Sequence, residues 1–201
     1  MGLADDLKGL RVRYKLIVQI VSSSLAVYGG VRIPVAEAFH IVTEYSVFID
    51  PFLTVIWMLA FINAVNLIDG MDGLSSGIVI TALVFFTAIG IHSGNTPLIL
   101  LSLSLAGSVG GFFIYNFHPA KIFLGDAGAY CLGFILSVLF PVCFHSITSI
   151  KVTFVPAVIL LIPFIDVAQV VTRRLWLKSG IFNADNNHIH HKLLAAGYGC
   201  I

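Results

Sequence analysis

The sequence predicts an all-α, polytopic membrane protein, a bundle of about six transmembrane helices, on two observations. The first is composition: residues of the set AVILMFWYC make up 58% of the 201 positions, and charged residues only 10%. Soluble domains carry about 25% charged residues, so this chain has too few to cover a water-exposed surface. The formal net charge is +1 without a basic run, which argues against a nucleic-acid partner. The lipid bilayer is the expected environment.

The second observation is a series of stretches that approach the ~20 apolar residues a helix needs to cross a membrane. They lie at about 16–31, 52–68, 74–92, 98–117, 127–146 and 153–172. The first is the weakest, because Gln19, three serines and a glycine pair interrupt it. Residues 1–172 are therefore predicted to form a six-span core, and the polar residues 173–201 a cytoplasmic tail.

An even number of spans places both termini on one side of the membrane. Nine Lys and Arg residues then share that side and two lie on the other, which accounts for all eleven. By the positive-inside rule the nine-residue side is cytoplasmic. The two exceptions are Arg32 and Lys151.

The segment Asn66-Leu-Ile-Asp-Gly-Met-Asp-Gly-Leu74 joins the second and third spans on the cytoplasmic side. Asp69 and Asp72 stand three residues apart and would share one face of a helix. Asp72 alone could simply cap the third span, since acids favour helix N-termini. A cap does not explain Asn66 and Asp69 at the end of an apolar span, where polar groups are costly and usually functional.

Two further acidic segments are predicted on the same face. Asn116 to Asp126 joins spans four and five, and Asp5-Asp6 precedes span one. Each aspartate could be a helix cap, but three such groups converging would repel one another without a cation. Carboxylates with an Asn carbonyl are the oxygen ligands expected of Mg²⁺ that holds phosphates. We therefore expect a magnesium site here.

The tail carries three histidines, His188, His190 and His191, beyond the basic pair Arg173-Arg174. Zinc is one interpretation, but the spacing is poor for a single tetrahedral ion and no cysteine lies nearby. Contacts with phosphate or carboxylate suit these residues better. An exposed polar tail without function remains the simpler alternative.

These segments, with Pro163-Phe-Ile-Asp166, occur in an order that resembles the bacterial polyprenyl-phosphate N-acetylhexosamine-1-phosphate transferases, the MraY/WecA-like family. The resemblance implies transfer of a sugar 1-phosphate from a UDP-sugar to undecaprenyl phosphate, releasing UMP, with Mg²⁺ or alternatively Mn²⁺. It implies a bacterial inner membrane location with a cytoplasmic active face, and a homodimer is a conceivable assembly. The His-x-His-His spacing is similar to the WecA-like branch, which implies N-acetylglucosamine as the sugar and cell-surface polysaccharide as the destination.

The resemblance also implies roles for individual residues. Matched position by position, they fall into metal ligands (Asn66, Asp126), catalytic acids (Asp5, Asp6, Asp69, Asp72) and substrate-binding groups (Asn116, Phe123, Arg174, His188, His190, His191). Asp69 and Asp72 match the nucleotide side, where Phe123 is available to stack on uracil. Asp5 and Asp6 match groups that position the lipid phosphate or the metal.

Other functions remain open at this point. Family members are longer, so the chain resembles the catalytic middle of the family, and we expect it to insert in the membrane but to turn over poorly, as an inactive fragment would. A transporter using buried acids is an alternative, although transporters usually place acids near the midplane of interrupted helices. A CDP-alcohol phosphotransferase is a weaker one, because only the beginning of its motif matches Asp69-x-x-Asp72-Gly73.

Overall fold

The computed structural model describes residues 1–34 and 46–145, apart from the side chains of residues 46, 144 and 145. Within these ranges the chain forms helices and no strand, which confirms the all-α class. The helices are α1 (Gly2–Lys8), α2 (Val12–Tyr28), α3 (Ser46–Ile68), α4 (Leu74–Ser93), α5 (Thr96–Asn116) and α6 (Gly125–His145). The predicted sixth span, 153–172, and the predicted tail, 173–201, lie outside the described residues.

Helices α3 to α6 are each long and apolar enough to cross a membrane. They correspond to the second to fifth predicted spans, and the protein is a multi-pass membrane protein. The one large difference in bounds is at α3, which begins six residues before the predicted position 52 and contains Pro51. Proline has no N–H, so the carbonyl four residues earlier in α3 loses its usual helical partner.

Helix α2 differs from the first predicted span, 16–31. It has 17 residues, begins four positions earlier and ends at Tyr28, and it is not among the four helices that meet the length and composition of a span. The physical reasons lie at its two ends. Arg13 and Lys15 place charge in its first turns, and Gly30 leaves the helix at a φ of 101°.

Two antiparallel helix pairs form the bundle. Helices α4 and α5 are joined through the short turn at Gly94 and Asn95, where the Asn95 side chain accepts the N–H of Leu98 at 3.0 Å. Helix α6 packs against α3, which also contacts α2, and α1 lies across the start of α6. The shared core is apolar, with buried side chains that include Phe61, Leu83, Phe86 and Leu136.

This topology brings one set of chain connections together. Helix α1, the loop at residues 69–73 and the loop at residues 117–124 all lie at the same end of the bundle, which we call the site end. The turn between α4 and α5 lies at the opposite end, because the two helices are antiparallel. The acidic segments therefore lie together at one end of the bundle, as the sequence predicted.

Candidate active site

A cavity of about 270 Å³ opens at the site end. Seven predicted site residues line it, together with small and apolar neighbours. The lining residues are Asp6, Asn66, Asp69, Gly70, Met71, Asp72, Asn116, Phe123, Leu124, Gly125 and Asp126. Four separate segments of the chain therefore contribute to one cavity.

Asp126 lies in the first turn of α6 and faces neighbouring elements rather than its own helix end. The Asn66 amide donates to Asp126 Oδ1 at 2.7 Å, and Lys15 Nζ lies 3.4 Å from Asp126 Oδ2. Neither contact caps α6. The alternative that Asp126 is merely a helix cap does not fit this geometry.

Asp5 is buried, with 6% of its surface exposed, and it forms an ion pair with Lys15. Its other carboxylate oxygen accepts the N–H of Leu10 at 2.7 Å. Burial opposes ionisation of Asp5, but the Lys15 ammonium and the hydrogen bond from the N–H of Leu10 outweigh it and hold the pKa of Asp5 below its usual value. Asp5 is therefore an ionised carboxylate beneath the cavity, neutralised by a lysine.

Asp6 caps a helix 120 positions away in the sequence. Its two carboxylate oxygens accept the N–H groups of Asp126 at 2.8 Å and Ala127 at 3.1 Å, at the start of α6. A carboxylate at this position satisfies free N–H donors and complements the helix dipole. The capping interpretation of the Asp5-Asp6 pair is thus correct for Asp6, but the capped helix is not the one that follows it.

Asp69 and Asp72 do not share a helical face, and that part of the prediction is wrong. Residues 69–73 form turns between α3 and α4, where Gly73 has a φ of 70° that glycine adopts readily. The half-buried Asp69 accepts from the Ser75 hydroxyl at 2.5 Å. Burial raises the pKa of Asp69, although this hydrogen bond offsets part of the effect.

Asp72 joins the two loops of the site end. Its Oδ2 accepts the N–H of Ala120 at 3.0 Å and lies 3.3 Å from Nδ1 of His118. These two hydrogen bonds lower the pKa of Asp72. Because both partners belong to the loop at residues 117–124, Asp72 is not the N-terminal cap of α4.

Asn116 is buried and forms hydrogen bonds to both loops of the site end. Its side-chain oxygen accepts the N–H of Gly73 at 3.2 Å and the Ser76 hydroxyl at 2.8 Å. Its amide donates to the Ile122 carbonyl at 3.0 Å. Its three contacts are therefore internal, and they fix the position of the cavity wall.

The aromatic candidate Phe123 is 76% exposed at the cavity. An exposed apolar ring of this kind offers a face for stacking. The predicted substrate-binding residues Arg174, His188, His190 and His191 lie outside the described residues, as does the Asp166 motif.

The roles of two polar side chains of α2 were not recognised from the sequence. Lys15 was counted only as a basic residue, and Gln19 only as an interruption of a span. Gln19 is 3% exposed and exchanges two hydrogen bonds with Asn63, at 3.3 and 2.8 Å. An amide inside an apolar helix usually bonds to a neighbouring helix, and this signal could have identified the pair.

A divalent cation fits the chemistry of this site, although not as a complete ligand cage. Within the described ranges no three His, Cys, Asp or Glu side chains come together as a ready metal-binding group. The carboxylates of Asp5 and Asp126 nevertheless already flank one cation, the Lys15 ammonium. They are hard oxygen donors of the type that Mg²⁺ prefers, and Mg²⁺ commonly keeps several waters and takes few protein ligands. Asn66 directs its amide nitrogen to Asp126 and would have to rotate to offer its oxygen.

Comparison with known proteins agrees with this geometry. The chain is 32% identical over 198 residues to the probable undecaprenyl-phosphate N-acetylglucosaminyl 1-phosphate transferase of Bacillus subtilis, covering 98% of the chain and 55% of the relative. It is 31% identical to the decaprenyl-phosphate N-acetylglucosaminephosphotransferase of Mycobacterium leprae, with the same coverage. It is 38% identical over 133 residues to the phospho-N-acetylmuramoyl-pentapeptide-transferase of Lactobacillus acidophilus, covering 62% of the chain and 40% of the relative.

The chain thus spans about half the length of the first two relatives. The model of the glycosyl transferase family 4 matches residues 1–144. This match includes α1 to α5, nearly all of α6 and every residue that lines the cavity. The chain belongs to glycosyl transferase family 4.

Proposed function

We propose that this protein transfers N-acetylglucosamine 1-phosphate from its UDP derivative to undecaprenyl phosphate, releasing UMP, as the first lipid-linked step of a surface polysaccharide. The observation that carries the proposal is the cavity at the site end, where carboxylates from α1, α6 and the 69–73 loop meet beside membrane-spanning helices. A water-soluble nucleotide and a membrane lipid can meet only at such a boundary. The relatives' names support a polyprenyl phosphate as the acceptor and a phosphorylated N-acetylglucosamine as the transferred group.

Both substrates are anionic, so a carboxylate-lined cavity needs a cation to receive them. We propose Mg²⁺, with Mn²⁺ as a substitute, held by Asp126 with Asp5 and the side-chain oxygen of Asn66. When bound, the ion offsets negative charge on the pyrophosphate and orients it. Lys15 and Asn66 hold the Asp126 carboxylate in position in the metal-free protein. Positioning and charge neutralisation are the main sources of rate in phosphoryl transfer.

The acids do not have to remove a proton from the nucleophile. A phosphate monoester has a second pKa near 6 and is mostly dianionic at pH 7. Asp6 is already engaged by two backbone donors, and it acts in this proposal as a positioning residue for Asp126. In the metal-free protein, Asp5 supports the same carboxylate through Lys15.

The nucleotide is proposed to lie against the 117–124 loop. Phe123 offers its exposed ring to the uracil base. Asp72 and Asn116 hold the two loops at a fixed separation through their hydrogen bonds to Ala120 and Ile122. Arg174 and the three tail histidines are proposed to bind the donor's phosphates and sugar.

The site end is proposed to face the cytoplasm of a bacterial inner membrane. Single cysteines at Lys121 and Arg32, in a chain whose native cysteines are replaced, test this orientation with a membrane-impermeant maleimide. Lys121 lies in the loop at residues 117–124, at the site end. Arg32 follows α2 at the opposite end of the bundle. We expect labelling of intact spheroplasts at position 32 and labelling at position 121 only after lysis. The reverse pattern would contradict the proposed orientation.

The reaction itself is tested by UMP release from UDP-N-acetylglucosamine with undecaprenyl phosphate in detergent. Two proteins are compared: the 201-residue chain, and a chimera in which this chain replaces the matching segment of the Bacillus subtilis relative. We expect metal-dependent, tunicamycin-sensitive UMP release from the chimera, and slower release from the 201-residue chain. A chimera that inserts correctly and releases no UMP would refute the proposal, and a transporter would give that result.

A further inference from the structure

One cation already occupies the point between the two acids proposed to hold the metal. Lys15, in the first turn of α2, forms an ion pair with Asp5 of α1 and lies 3.4 Å from Asp126 Oδ2 in α6. Its side chain is 22% exposed, and that of Asp5 only 3%. Three separate elements therefore meet through one ammonium group.

In both carboxylates, one oxygen accepts a hydrogen bond from the protein and the other oxygen faces the cation. Asp5 Oδ1 accepts the N–H of Leu10, and Asp126 Oδ1 accepts the amide of Asn66, both at 2.7 Å. Oδ2 of both residues faces Lys15. A metal ion bridging the two acids would need the oxygens that the ammonium now occupies.

Neither carboxylate tolerates the loss of a positive neighbour. Two carboxylates sharing a partly buried site repel each other unless a cation is present, and a buried charge without a partner is strongly destabilising. A lysine ammonium and a divalent ion at one point also repel each other. The two cations should therefore exclude one another.

We propose that Lys15 is a built-in counter-ion that occupies the metal position when no metal is bound, and that it withdraws from Asp5 and Asp126 when a divalent cation binds. The proposal rests on the proposed function for the identity of the metal ligands. Lys15 keeps the two acids together and the site end folded in the metal-free protein. It also weakens metal binding, because each metal ion must displace it.

The first test measures Mn²⁺ binding to the purified 201-residue chain by the EPR signal of free Mn²⁺. Lys15→Gln should bind Mn²⁺ about tenfold more tightly or better, since it removes the competing charge. Lys15→Arg keeps the charge and should resemble the wild type. Lys8→Gln is the matched control, because Lys8 is an exposed residue of α1, and its affinity should not change. Equal or weaker binding by Lys15→Gln, or no binding by any chain, overturns the proposal.

The second test uses only the wild type, in case Lys15→Gln does not fold. Reductive methylation followed by mass spectrometry reports the accessibility of each lysine amine. Lys15 should react slowly without metal and several times faster with saturating Mn²⁺, whereas Lys8 reacts at one rate in both. An unchanged Lys15 rate overturns the proposal. If UMP release is metal-dependent while both tests show no change, the proposed function stands and the counter-ion role alone fails.

Discussion

The α4–α5 pair and the α3–α6 pair are both antiparallel, but they are held together by different interactions. In α4–α5 the contacts are apolar or join uncharged polar groups: the Thr87 and Ser102 oxygens lie 2.8 Å apart, and the Ser76 hydroxyl donates to Asn116 at 2.8 Å. In α3–α6 the contacts become polar toward the site end, where Asn66 bonds to Asp126. A tight turn joins α4 directly to α5. Helices α3 and α6 are far apart in the sequence, because α4 and α5 lie between them in chain order.

This difference indicates which pair contributes most to the candidate site. The buried share of the most apolar stretch is 50% in α6 and 39% in α3, against 44% in α4 and 17% in α5. The site is therefore built on the pair whose contacts are distant in sequence and better enclosed. The local α4–α5 pair supplies a wall and holds the 69–73 loop in place through Asn116. Substitutions in α3–α6 should affect activity first, and substitutions in α4–α5 should affect mainly stability.

The largest effect is expected from Asp126→Ala. It removes the acceptor for Asn66 and the carboxylate nearest the proposed reaction centre, so UMP release should fall by about 10²–10³-fold, the cost of losing one key electrostatic group. Membrane insertion should not change, because α6 keeps its apolar residues. The assay compares initial rates in the chimera at matched expression. A rate within threefold of the wild type would contradict the role of Asp126.

A loss of about 10²-fold is expected from Asp72→Asn. The amide can still accept from Ala120 but loses the charge that faces His118 and the cavity. The magnitude is that of removing one charged group from a preorganised site. UMP release and thermal midpoint are measured together. A changed midpoint with normal UMP release would assign Asp72 to loop stability alone.

Gly133→Ala tests the close approach of α3 and α6. A Cβ atom at Gly133 would lie 2.8 Å from the Ile62 Cα and 3.2 Å from its carbonyl oxygen, and backbone atoms cannot move aside cheaply. Overpacking of this kind costs roughly 1–3 kcal/mol, so the thermal midpoint and UMP release should both fall. The matched control is Gly110→Ala in α5, where an added Cβ has no described neighbour within 4 Å. Equal effects of the two changes would remove the distinction between the helix pairs.

Asp69 should make stability depend on pH. Because burial raises its pKa above the usual 3.8, the folded protein binds this proton more tightly than the unfolded chain does. Its contribution to the free energy of unfolding is then complete below about pH 3.8 and is lost as the pH rises through the folded pKa. Asp69→Asn removes the ionisable group, so this loss of stability with rising pH should not occur in the variant. Thermal midpoints of both proteins, measured with EDTA from pH 4 to 7, should show the variant gaining on the wild type as pH rises. A constant difference would contradict the raised pKa.

The smallest effect is expected from Ser102→Ala in the α4–α5 pair. Hydrogen bonds between membrane helices contribute about 0.6 kcal/mol on average, so the thermal midpoint should fall slightly. UMP release by the chimera should stay within twofold of its unmodified value. If Ser102→Ala lowered UMP release more than Gly133→Ala does, the α4–α5 pair would matter more for activity than the α3–α6 pair, contrary to this expectation.

The sequence predicted α4, α5 and α6 to within two residues at each end, because glycine, asparagine and proline mark the turns between apolar stretches. It also predicted that the acidic segments converge, since alternate loops of a membrane bundle share a side. It did not predict the pairing of Asp5 with Lys15 or of Gln19 with Asn63. Those contacts depend on which helices become neighbours, and hydropathy carries no information on that choice.

The cap that Asp6 provides to α6 has a consequence for how the protein is made. Its acceptors and donors are 120 positions apart, so at roughly 5–20 residues per second the ribosome needs about 6–24 s to supply the second half of the contact. During that interval Asp5, Asp6 and Lys15 must wait at the membrane surface without their partners on α6. The cavity therefore cannot be complete until the start of α6 has been synthesised.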